Sequence, residues 1–289
     1  MKFRVILPIA VVLLLIIVGA GCLQEHRGPA VTTSGIAVSV TEATPQQITM
    51  VLLLNNLTDE TVQALIGIDN ATSNAAMALG KTGISGPDAN AVLGEAVASN
   101  PAVLTAITID PDGTVLSAEP ADAKVLLGQD TGNQGVVRQA LETRQPLMSE
   151  LFPLVQGGTA VVIEYPVFGS DGRFMGVVST AFSPYDLVAP IAENATAGTA
   201  YSFMIAQPDG RVLYDPDPRE VGKKTFNETL YAESPGTPGF ARQYAGNSSG
   251  YATCSFDDTG VGNEVNKEAF WTTVGLHGTE WRIIVIGEV

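Results

Sequence analysis

The stretch Thr159-Ala160-Val161-Val162-Ile163-Glu164-Tyr165-Pro166-Val167-Phe168, followed by Gly169-Ser170-Asp171-Gly172 and then Arg173-Phe174-Met175-Gly176-Val177-Val178-Ser179-Thr180-Ala181-Phe182, decides the fold. Two long segments rich in β-branched and aromatic residues flank a turn of Gly, Ser and Asp, so they read as an antiparallel pair, Thr159–Phe168 and Gly172–Phe182. A second pair of the same kind closes the chain: Phe270–Leu276 and Glu280–Gly287, joined by His277-Gly278-Thr279.

Each long pair is preceded by a shorter hairpin. Val103–Ile109 leads through Asp110-Pro111-Asp112-Gly113 into Thr114–Ser117. Phe203-Met204-Ile205 leads through Pro208-Asp209-Gly210 into Arg211–Tyr214. In both turns Pro presets the first turn residue and Gly supplies the positive φ that closes the bend. Pro208 follows Pro111 by 97 residues, and Gly222 follows Gly128 by 94. A duplication at this period predicts two copies of one α/β unit, with Asn194–Gly198 as the link between them. Tyr251–Phe256 reads as a further strand and contains Cys254.

Upstream, Gln46 to about Leu79 is helical. Met50, Leu54, Leu57, Thr61, Ala64, Ile68, Ala75 and Leu79 form an apolar stripe, opposite Asn56, Asp59, Glu60, Gln63, Asn70 and Asn74. The stripe is available to the chain's own domain or to a second copy, and self-packing is the simpler use. A second helix runs over Asp88–Ser99 and is stopped by Asn100-Pro101.

The N-terminus reads as an export signal. Lys2 and Arg4 precede the apolar run Val5–Ala20, and Gly19-Ala20-Gly21-Cys22 follows as a relaxed lipobox with Cys22 as the lipidated residue. The alternative is an uncleaved anchor, since about 17–25 apolar residues span a bilayer. Either way the body lies on the extracytoplasmic face. The expected organisation is signal or anchor over 1–22, tether over 23–45, long helix plus first unit over 46–193 and second unit over 194–289. With the chain ending at Val289 on a strand, no output domain is expected, so any signal would pass through a membrane partner.

The 289 residues carry 30 acidic and 15 basic groups, a net charge of −15. No basic footprint exists for nucleic acid. Two cysteines rule out a disulfide scaffold or a thiolate zinc cluster. Five glycosylation sequons occur, at Asn56, Asn70, Asn194, Asn227 and Asn247. Asn56 and Asn70 point within about 40° of each other on the helix, both on its wet face.

In its order of elements the chain resembles the double Cache (PAS-like, PDC-type) extracellular sensor domains. The resemblance runs from about Gln46 to Val289 and rests on the long helix, the Asp-Gly hairpin, a Gly-containing loop, the short helix Asn133–Thr143 and Gln145–Ser149. The run from Pro166-Val167-Phe168 to Asp171-Gly172-Arg173-Phe174-Met175-Gly176-Val177-Val178 is its most specific part, and Gly278-Thr279-Glu280-Trp281 is similar to the closing strand of the second unit. It implies an α+β fold: a long N-terminal helix beside two tandem five-stranded antiparallel PAS-like sheets flanked by helices. It also implies a small-ligand pocket in the first, membrane-distal unit. The amine-binding branch has Arg-x-Trp-Tyr on the short helix and Asp on the last strand. Here the helix reads Asn133-Gln134-Gly135-Val136-Val137-Arg138 and the Asp position is Ala181, which disfavours amino acids. The dicarboxylate branch wants a basic residue where Gln134 stands. The expected ligand contacts are therefore Gln134, Arg138, Ser149, Tyr165 and Thr180, in a mostly apolar pocket.

No Gly-x-Ser-x-Gly, Walker or His-Glu-x-x-His motif occurs. Gly80-Lys81-Thr82 only imitates the end of a phosphate loop. Asp110/Asp112 and Asp257/Asp258 with Glu264 lack the alternating ligand set of a calcium loop. The expectation is a non-catalytic small-ligand sensor without cofactor or metal. Its alternative is a glycosylated structural or interaction lipoprotein of the cell envelope with a filled pocket.

Overall fold

The computed structural model describes residues 31–33, 43–154, 158–232, 236–257 and 264–289. In chain order the elements are β1 (Val31–Thr33), α1 (Pro45–Thr82), α2 (Pro87–Ala98), β2 (Val103–Ile109), β3 (Val115–Glu119), α3 (Gly135–Thr143), β4 (Leu147–Met148), β5 (Phe152–Pro153), β6 (Thr159–Phe168) and β7 (Phe174–Phe182). There follow α4 (Pro184–Thr196), β8 (Ser202–Ala206), β9 (Val212–Tyr214), α5 (Gly236–Gly246), β10 (Gly250–Asp257), β11 (Glu264–Leu276) and β12 (Thr279–Glu288). The signal segment, Cys22 and most of the expected tether lie outside the described residues. Among the described residues no helix is long and apolar enough to cross a membrane.

The fold is α+β, with a long N-terminal helix and two antiparallel sheets. The first sheet runs β3-β2-β7-β6-β4, with β5 also on β6; the second runs β1-β11-β12-β8-β9, with β10 also on β11. Each sheet thus has six strands rather than the expected five. In the first, the edge strand is broken into the two short pieces β4 and β5. In the second, β10 pairs with β11 only as far as Trp271, and the free end of that long strand is taken by β1, Val31↔Leu276 to Thr33↔Val274. Part of the expected tether is therefore a strand. Asn194–Thr196, expected in the linker, forms the last turn of α4.

Helix α1 starts at a capping box. Thr44 Oγ1 accepts from the Gln47 N–H at 3.2 Å, and the Gln47 side chain accepts from the Thr44 N–H at 3.1 Å. Its stripe of Met50, Leu54, Leu57, Leu65, Ile68 and Leu79 is buried, each side chain contributing about 1.5–3 kcal/mol by leaving water. Packing on this chain's own sheets accounts for that stripe. At its C-terminal end α1 presses so closely on β6 that a Cβ on Gly80 would lie 2.3 Å from the Phe168 carbonyl oxygen. That contact, rather than a phosphate, explains the glycine of Gly80-Lys81-Thr82. Asp110 closes its hairpin turn by accepting from the N–H groups of Asp112 and Thr114, and Gly113 takes φ 91° there.

One apolar core serves both units. Met50, Leu57 and Ile68 of α1, Val161, Ile163 and Phe182 of the first sheet, and Phe203, Trp281 and Val285 of the second belong to the same cluster. Phe182 and Trp281 meet with ring centroids 6.4 Å apart. Polar contacts along the seam add Thr279 Oγ1 donating to the Met148 carbonyl at 2.5 Å and the Leu151 N–H donating to Gln207 Oε1 at 3.2 Å.

Candidate functional site

Register assigns every residue of β6 and β7 to a face. Val161↔Phe182, Ile163↔Thr180 and Tyr165↔Val178 are opposed pairs, as are Val162↔Ala181 and Glu164↔Ser179. Opposed residues of an antiparallel pair share a face. The first set faces α1. The second faces α3 and the segment that includes β4 and β5, where Ile109, Val137, Ala140, Leu147 and Val177 form one apolar cluster and Ala160, Val162 and Ala181 another.

In this second, apolar surrounding stands Glu164. It is 1% exposed, and neither carboxylate oxygen has a hydrogen-bond partner. Burial pushes its carboxyl up to about 7, an effect only tempered by the hydroxyl of Ser179 across the strand pair. A buried ionisable group of this kind is held neutral or awaits a donor. Chemically it can accept hydrogen bonds from a ligand N–H or O–H, or balance a ligand cation.

The residues expected as ligand contacts do not converge. Tyr165 and Thr180 lie on the α1 face. Tyr165 is half-buried and its hydroxyl donates to Asp69, at 3.0 Å from both Oδ1 and Oδ2. Thr180 is buried with its hydroxyl unpartnered. Ser149 continues the β4 edge: its Oγ accepts from the Val162 N–H at 3.0 Å and donates to the Glu150 carbonyl at 2.8 Å. Gln134 caps the start of α3 without a side-chain cap bond, and both it and Arg138 are exposed. Of the five, Ser149, Gln134 and Arg138 border the α3 side. All five sequon asparagines are exposed.

Strand alternation sets Glu164 on the face opposite Tyr165 and Thr180. Alternation fixes which residues share a face but not which face is covered. The signal for two covered faces was the nearly unbroken apolar run on both sides of Glu164. A second unforeseen cluster joins three parts of the chain. Asp69 of α1 is fully buried, and its Oδ1 lies 2.6 Å from His277 Nε2 in the β11–β12 turn. The Tyr165 hydroxyl lies 3.4 Å from the same nitrogen, and the rings meet edge to face at 5.6 Å. The long helix, the first sheet and the second sheet are thereby tied at one point.

The corresponding face of the second sheet is covered by α5. Between them lies a cavity of about 250 Å³, bordered by Met204, Asp215, Thr225, Tyr231, Phe240 and Tyr244 among others. Glu220 is held there by Lys223 Nζ and the Tyr231 hydroxyl, each at 2.7 Å, and the Tyr244 and Thr225 hydroxyls meet at 2.6 Å. Burial pushes the Tyr244 phenol up to about 12.

Residues 63–184 match the family described as HK/GC/chemotaxis protein-like, sensor domain. No curated protein is similar enough to match. Among solved structures, the extracellular ligand binding receptor from Desulfohalobium retbaense is 26% identical with a TM-score of 0.69; the match covers 85% of this chain and 41% of the receptor, so this chain spans well under half of that protein's length. The ligand-binding domain of the Pseudomonas aeruginosa amino acid chemoreceptor PctB, in complex with L-Gln, is 18% identical over 83% of this chain and 88% of its own, with a TM-score of 0.55. That of the Pseudomonas fluorescens chemoreceptor CtaA, in complex with L-serine, is 17% identical over 82% and 92%, with a TM-score of 0.57. Residues 63–184 are thus similar to the HK/GC/chemotaxis protein-like sensor domain, and the two-unit fold of the whole chain is the one these solved ligand-binding domains share.

Proposed function

We propose that this protein is a non-catalytic, extracytoplasmic small-ligand sensor of the double Cache type, held to the membrane by a lipid on Cys22 or by an uncleaved N-terminal helix. Ligand occupies the α3 side of the first unit and shifts a conformational equilibrium, to the extent that its affinity differs between states. A membrane signalling or transport partner reads that shift. A homodimer through α1 and glycans at the five exposed sequons belong to the same reading.

The observation that carries it is Glu164: a carboxyl 1% exposed, with no partner on either oxygen. Such a group is costly in the empty protein and is relieved by a ligand that brings a hydrogen-bond donor or a positive charge. Gln134, Arg138 and Ser149, which border the same side, are the secondary contacts of this reading. Tyr165 is bonded to Asp69 instead, and it and Thr180 are not ligand contacts in it.

A second reading is a structural or interaction protein with a filled pocket. It is favoured by the packing of Leu104, Val136, Phe152 and Leu154 against Val162 and Ala181 on the same face. A thermal-shift screen of the full chain against organic acids, amines, sugars and purines separates the two. The sensor reading expects a stabilising compound whose effect is lost in Glu164→Gln. No stabilising compound in any class would favour the filled pocket.

A further inference from the structure

We infer that the second unit holds a ligand site of its own: the cavity between its sheet and α5 takes a small ammonium-bearing molecule, with Asp215 as the counter-ion. The cavity, about 250 Å³, falls just below the size usual for drug-sized ligands and suits a small metabolite. Most of its polar lining is already satisfied. Glu220 is engaged by Lys223 and Tyr231, and Tyr244 by Thr225. Asp215 is different. Its carboxylate accepts one hydrogen bond, from the Asp217 N–H at 2.9 Å, and among the described residues no salt bridge reaches it. Its pKa is raised, chiefly by burial, with the charges of Glu220 and Asp217 adding to the shift. Asp217 and Glu220 add negative charge beside it and Lys223 offsets part of that charge; at a partly buried site such charges are less screened than in open water, which is where a cation gains most. The rings of Tyr231, Phe240 and Tyr244 border the same space, and aromatic faces attract ammonium groups.

Lys267 also borders the cavity and is already engaged; the chemistry recognised is the ammonium group itself, carried by a simple amine or by a zwitterion. This site does not involve Glu164, and the failure of either site leaves the other standing.

The test titrates the full chain with ethanolamine, β-alanine and propionate by calorimetry, while methyl NMR follows Met204, which borders this cavity, and Met148 of the first unit. The expected result is saturable binding of ethanolamine, β-alanine or both. It should move the Met204 signal, weaken at least about tenfold in Asp215→Asn, as loss of a charged hydrogen bond implies, and persist in Glu164→Gln. Tighter β-alanine identifies the zwitterion as the preferred source, and tighter ethanolamine the simple amine. Four results overturn the inference: no binding of either ammonium probe at millimolar concentration, binding of propionate alone, movement of Met148 in place of Met204, or binding unchanged by Asp215→Asn. Should Asp215→Asn fail to fold, the methyl signals of the unmodified chain still decide the location.

Discussion

The two sheets turn equivalent faces away from the long helix, yet they treat polar groups there in opposite ways. Beneath α3 the first unit buries a carboxyl among Leu147, Val162 and Ala181; of the described residues, the Ser179 hydroxyl across the strand pair is the only polar side chain tempering it, and no bond of full geometry reaches it. Beneath α5 the second unit keeps an open space, and Glu220, Thr225, Tyr231 and Tyr244 around it are bonded within the protein. The contrast shows what a duplicated scaffold makes possible. One unit buries an unfavourable carboxyl while sharing an apolar core with the other.

The strongest way to break this comparison is to damage the shared core. Trp281→Ala removes a fully buried side chain that touches Phe182 of the first unit, and should cost about 4 kcal/mol. Urea unfolding followed by circular dichroism should show one transition shifted as a whole. Two separate transitions would mean that the units stand independently.

Next in size is the pH dependence of Glu164. Its folded pKa of about 7 lies above the ordinary value of 4.5, so the folded protein holds the proton more tightly than the unfolded chain. The stability tied to this group is thus greatest below about 4.5 and falls as pH rises to about 7. The fall is about 3 kcal/mol in total. Stability of the wild type relative to Glu164→Gln, measured by denaturant titration from pH 4 to pH 8, should decline by that amount; a flat difference would count against it. Asp215→Asn should give a weaker trend of the same sign.

Removing the tie between the units should cost less. Asp69→Ala leaves the Tyr165 hydroxyl and the His277 ring without their acceptor, worth about 2 kcal/mol. Tyr165→Phe and His277→Ala should each lose less than Asp69→Ala, and the pair together less than the sum of the two. Strict additivity would show that the three groups do not act as one network. The smallest effect is at the helix start: Thr44→Ala should cost about 1 kcal/mol, read as a small drop in melting temperature.

Much of this architecture was legible in the residues. Thr159–Phe168 is a strand over that full range, and the two Pro-Asp-Gly turns sit at matching places in the two units. The stripe from Met50 to Leu79 needed only helical spacing. What eluded the sequence were contacts between distant parts. Nothing local says that Asp69, one turn beyond Leu65 on α1, meets a histidine from the other sheet. Strand alternation put Glu164 opposite Tyr165, as it is, but could not tell that both faces are covered. Tyr165 and Thr180, expected as ligand contacts, lie on the face that packs on α1. The edge strand β1 was likewise hidden, because its pairing depends on how far β11 outruns β10.

The central claim is that Glu164 is a buried carboxyl without a strong hydrogen-bond partner in the ligand-free protein. Carbon-13 NMR titration of the glutamate carboxyl groups in the full chain, with Glu164→Gln to identify the signal, tests it directly. The expected titration midpoint is about 7, and it should fall when a bound ligand brings a donor to the site. A midpoint near the ordinary 4.5 would mean that water or a protein group already satisfies this carboxylate, and the proposed recognition role would be wrong.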